Sequence, residues 1–138
     1  MRTRHLSVLS LVLFCAVAAA QPFPLQEQAG VRWVCAGIGL DEREAFAKLE
    51  PDASLKLVFA AGKQGAYLAR VDVVLTDRDG KRAALKFTAE APICLIQAPA
   101  GRYSVEAAVG GEKRTIATTV AKKTGQPGML VFRFPERD

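Results

Sequence analysis

Histidine is almost missing from this chain. There is one in 138 residues, His5, and it lies in a segment that reads as removable. Without it there is no Ser-His or Cys-His catalytic pair and no imidazole metal ligand. Aromatic platforms are also scarce: one tryptophan (Trp33) and two tyrosines (Tyr67, Tyr103). No Lys/Arg run exceeds two residues, although the net charge is +5. A nucleic-acid surface would call for a basic stripe interleaved with aromatics, so no nucleic-acid partner is expected. No apolar run reaches the roughly 20 residues that a bilayer core demands. Cysteines number three.

What is present begins with "MRTRHLSVLSLVLFCAVAAAQ". Arg2 and Arg4 form a positive n-region, Leu6 to Val17 an apolar h-region, and Ala18 to Ala20 a small-residue cleavage site. The pattern predicts a signal peptide over 1–20, cut before Gln21. The mature chain then has no transmembrane helix, no histidine and a net charge of about +3. The expected compartment is the periplasm, with secretion the alternative. Cys15 leaves with the signal, so Cys35 and Cys94 remain. An even count in an exported chain predicts a disulfide. A redox pair would sit as C-x-x-C at a helix start instead.

Residues 21–30, "QPFPLQEQAG", read as a flexible leader. From 31 to 138 the apolar pattern has period two. Val31, Trp33 and Cys35 share a face, as do Leu55, Leu57 and Phe59. Tyr67, Ala69, Val71, Val73 and Leu75 are assigned to one strand, and Leu130, Phe132 and Phe134 to the last. Turn chemistry separates the runs: "TDRDGK" at Asp77 to Lys81, and "VGGEK" at Gly110 and Gly111. Such alternation between Gly-rich turns predicts a mainly β protein. Seven to eight strands and one short helix, about 41–50, fit a single antiparallel β-sandwich domain over 31–138.

The helix follows "VCAGIGLDEREAF". Its Gly-x-Gly turn looks like a phosphate site, but the third small position of a dinucleotide fingerprint holds Glu42. Asp41 is expected to cap the helix and Glu44 to complete a capping box. The acids suit the positive helix end and disfavour a phosphate there. No cofactor or metal site is read. Asp77 and Asp79 are too few oxygens for a calcium loop.

Two stretches, "ARVDVVLTDRDGK" and "APAGRYSVEA", resemble carboxypeptidase regulatory-like domains and their transthyretin-like relatives. The likeness covers residues 68–121 and rests on Pro99, Gly101, Tyr103 and Val105. The whole mature chain is also similar to small uncharacterised exported bacterial proteins that begin like Gly37 to Glu42. The resemblance implies an immunoglobulin-like or prealbumin-like sandwich, usually a non-catalytic accessory module. Transthyretin-like enzymes that hydrolyse hydroxyisourate use histidines, which the mature chain lacks. The Cys35/Cys94 pair is not part of the general pattern.

Three functions are open at this stage. A binding module for a partner protein at the cell envelope leads. A small-ligand or carbohydrate module would use exposed aromatics, although Trp33 and Tyr103 fall on core faces of their strands. A histidine-free hydrolase would rest on Asp41, Glu42 and Glu44. The run "GMLVFRF" is either an ordinary last strand or an edge that recruits a partner strand.

Overall fold

The computed structural model describes residues 25–37, 39–80, 82–122 and 125–136. The predicted signal peptide and residues 21–24 of the leader lie outside them. Ten strands form two sheets. They are β1 (Gln26–Gln28), β2 (Val31–Ala36), β3 (Leu55–Ala61), β4 (Ala66–Tyr67), β5 (Val71–Asp77), β6 (Arg82–Ala89), β7 (Ile93–Gln97), β8 (Gly101–Val109), β9 (Glu112–Val120) and β10 (Gly128–Phe134). Sheet A has the order β1-β2-β7-β3-β10, with the short β4 also paired to β3. Sheet B has the order β6-β5-β8-β9. One helix, α1 (Leu40–Ala47), and a single 3-10 turn (Glu50–Asp52) stand between β2 and β3.

The core lies between the sheets, as the period-two pattern requires. Leu57, Phe59, Val73, Leu75 and Val105 are fully buried there, and Phe59 meets Phe132 at 5.7 Å between ring centroids. Each such side chain contributes roughly 1.5–3 kcal/mol by leaving water. Trp33 stacks on Phe87 at 5.2 Å and packs against the same core. Cys35 and Cys94 face each other across β2 and β7 and are disulfide-bonded, 59 residues apart in sequence. A cross-link over that length stabilises by about 4 kcal/mol in the chain-entropy model.

Four features differ from the sequence reading. The leader is not all tether: Gln26–Gln28 pairs antiparallel with β2. The two-residue loop Ala29-Gly30 has φ of 52° and 80°, the left-handed pair a tight hairpin needs. All three strand residues are exposed, so no apolar alternation announced them. The predicted strand through Tyr67 and Val71 is two strands. Arg70, at φ 57°, turns the chain from β4 in sheet A to β5 in sheet B.

The pairing is not wholly antiparallel, because β10 runs parallel to β3. Finally, the capping assignment shifts by two residues. The helix starts at Leu40, so Gly39 holds the cap position with no side-chain cap bond. Asp41 therefore falls second in the helix and Glu44 fifth, and neither makes a cap bond. Glu42, now third in the helix, reaches back instead and accepts the Gly37 N–H at 2.8 Å. A Cβ on Gly37 would stand 2.7 Å from that carboxylate oxygen, so the close approach requires glycine.

Candidate functional site

Sheet A carries apolar side chains on both faces. Outward from β2 and β7 point Val34, Ala36 and Leu95; α1 lies over them and closes a second small core with Phe46. Phe46 is 4% exposed. The helix covers only that half. Outward from β3 and β10 point Val58, Ala60, Met129 and Val131; Ala60 is buried and Val58 half-buried, while Met129 and Val131 are exposed. The result is an open groove of about 1030 Å³ walled on one side by α1.

Among the described residues, four large apolar side chains are exposed: Leu40 (71%), Met129 (61%), Tyr67 (53%) and Val131 (40%). All four line this groove. On α1, the residues Leu40, Arg43, Glu44 and Ala47 that line it follow the i, i+3, i+4, i+7 stripe of one helix face. Lys56 and Glu50 form an ion pair at the floor. Arg43 and Arg133 also line the groove, and no ion pair joins either to a described carboxylate.

The groove opens onto the backbone of β10. In a parallel ladder one residue sends both N–H and C=O to the neighbouring strand and the next sends both away. Gly128 N–H donates to the Ser54 carbonyl, and the Phe134 carbonyl accepts from Gly62. The register is unbroken from Gly128 to Phe134. Even-numbered residues therefore bond β3, and Met129, Val131 and Arg133 turn their backbone groups outward. Arg114 of β9 donates from Nε to the Arg133 carbonyl at 3.2 Å and lies over the Phe134 ring. β9 packs beside β10, and among the described residues no hydrogen bond is seen to the outward Met129 and Val131 backbone groups.

The residues singled out from sequence lie elsewhere. Tyr103 is buried and donates its hydroxyl to the Pro99 carbonyl at 2.7 Å. Burial, with the nearby Asp77 charge, raises its pKa above the usual phenol value. Gly101 passes against the Tyr103 ring, and Val105 is fully buried. The four motif residues thus fix the loop that enters β8. Asp77 accepts the Asp79 and Gly80 N–H groups and so closes its own turn. Asp79 pairs with Arg102, whose hydrogen bond holds the Asp79 carboxyl below the ordinary range. Asp41 and Glu44 are exposed on α1, and only Glu44 touches the groove.

A second hollow of about 890 Å³ opens near Ser54 and Pro99. The Ser54 hydroxyl there donates to the Ala98 carbonyl and accepts the Ala98 N–H, so it is committed to the fold. Leu40 and Val58 were not singled out from sequence. Their signal was weak, because alternation alone does not say whether a helix covers an outward apolar residue. "GMLVFRF" did carry one: apolar residues stand at 129 and 131, where a solvated face would be polar.

No family model matches this chain, and none of the curated proteins compared with it matches either. No helix among the described residues is long and apolar enough to cross a membrane.

Proposed function

We propose that this protein is an exported, non-catalytic β-sandwich module that binds a partner protein at the cell envelope, and that the groove over β3 and β10 receives it. One observation carries the reading: the four exposed large apolar side chains converge on one surface. Scattered exposed apolar residues are ordinary, whereas a gathered patch marks an interaction site. The disulfide suits the oxidising compartment that export implies.

Photocrosslinking tests it. A photoreactive residue at Leu40 or Met129 should give one discrete adduct in envelope preparations, and one at Thr115 on the outer face of sheet B should give none. Equal adducts from both faces, or none from the groove, would refute the reading. Placement of the mature N-terminus at Gln21 would check export.

Tyr67 favours a second reading. It is an exposed aromatic at the groove, as a carbohydrate module requires. A glycan titration that shifts Tyr67 resonances in the wild type, and is abolished in Tyr67→Ala, would support that alternative.

A further inference from the structure

We infer that β10 is a strand-addition site: it takes an extended segment of the partner, with apolar residues at alternate positions followed by an acidic one. This rests on the groove reading and specifies how the partner is held. Apart from the two-residue β4, the described strands leave four sheet edges: β1 and β10 in sheet A, β6 and β9 in sheet B. Edges invite foreign strands, and proteins blunt them with shortness, charge, bulges or cover.

Three of the four are blunted. β1 has three residues, all exposed and polar. β6 pairs with β5 through a register break at Leu75/Thr76, and Gln28 accepts the Lys86 N–H on it. β9 opens with Glu112, Lys113 and Arg114. By contrast β10 is seven residues in regular register. Met129 and Val131 on it are exposed and apolar, and their N–H and C=O point away from β3. The guard residue, Arg114, reaches only the Arg133 carbonyl.

Side chains follow from the backbone. A strand added here sends every second residue onto the outer face of sheet A. Two of those residues land beside Met129 and Val131 and bury apolar surface. The next lands beside Arg133, which has no ion pair among the described residues, so its matching chemistry is a carboxylate. Charge also selects against a second copy of this chain. The strand "GMLVFRF" has no acidic residue, so β10 paired with itself would leave both Arg133 groups without a partner strand carboxylate.

A displayed library of random seven-residue peptides, panned against the full mature chain, tests this. The expected enrichment is apolar-x-apolar-x-Asp/Glu. Val131→Pro removes an outward N–H and leaves the β3 ladder intact, so selected peptides should bind it at least about tenfold more weakly. Met129→Lys, which asks less of the backbone, should weaken them similarly. Arg133→Glu should weaken acidic peptides about threefold to tenfold and be rescued by peptides with Lys in the acidic place.

Enrichment of a helical i, i+3, i+4 pattern would overturn strand addition, as would peptides that bind Val131→Pro and Met129→Lys undiminished. Self-association abolished by Met129→Lys would overturn the partner assignment in favour of a second copy. The broader reading fails separately. A groove adduct from Leu40 that persists in Val131→Pro keeps the groove and sinks the strand; no adduct at any groove position sinks both.

Discussion

The outer face of sheet A has two halves made to the same plan. β2 and β7 turn Val34, Ala36 and Leu95 outward; β3 and β10 turn Val58, Ala60, Met129 and Val131 outward. Over the first half α1 lays Phe46, and the apolar residues become a core. Over the β10 side of the second half no such side chain is laid, and Met129 and Val131 meet water. The disulfide also belongs to the covered half, since it joins β2 to β7. Outward apolar residues therefore stabilise this fold where the chain supplies a cover, and form the proposed interaction surface where they are left exposed.

Equivalent changes in the two halves should separate these roles. Replacing Cys35 and Cys94 by serine should lower stability most, by about 4 kcal/mol, read as a lower urea midpoint with a steeper slope, because the unlinked unfolded chain exposes more surface. Phe46→Ala should remove about 3 kcal/mol in the same assay, the usual scale for deleting a buried phenyl ring. The matching change in the bare half, Met129→Ser with Val131→Ser, should alter stability by less than about 1 kcal/mol while it abolishes the groove adduct. A large loss of stability from that pair would show the bare half to be structural after all.

Gly37→Ala tests the turn from β2 into the covering helix. Its methyl group must displace the Glu42 carboxylate, and the loss should be about 1 kcal/mol. Amide exchange at residue 37 should then quicken. The smallest effect is far from both halves. Arg102→Ala should raise the Asp79 pKa toward the ordinary carboxylate value, followed by NMR titration. Because the folded-state pKa is depressed, the pair's contribution is present above the unfolded pKa and disappears as pH falls through the folded one. Asp79→Asn should therefore flatten the acid limb of the stability profile slightly.

Much of the inner core could be read from sequence. The period-two faces of Val31–Cys35 and Leu55–Phe59 locate the inner core, and the cysteine count points to the bridge. The helix was legible as an element and misplaced at its start, because Asp41 and Glu44 match a capping spacing, whereas the helix begins after Gly39 without a side-chain cap and Glu42 reaches back to Gly37. Arg70 was invisible: a non-glycine residue at positive φ has no sequence mark, so the sheet switch between Tyr67 and Val71 passed as one strand. The bare half was legible only as an oddity of the last strand. Its meaning depends on which neighbour β10 takes and how far α1 reaches, and both are long-range facts.

The parallel union of β10 with β3 also has a consequence in time. A chain made from its N-terminus presents β3 well before β10. Until Gly128–Phe134 has been made, β3 lacks one neighbour and Phe59 lacks its partner Phe132. Pairing between segments so far apart in sequence is slow and leaves strand edges exposed meanwhile. The finished sheet therefore waits on the synthesis of β10, and a chain cut short before Gly128 would leave β3 with an open side.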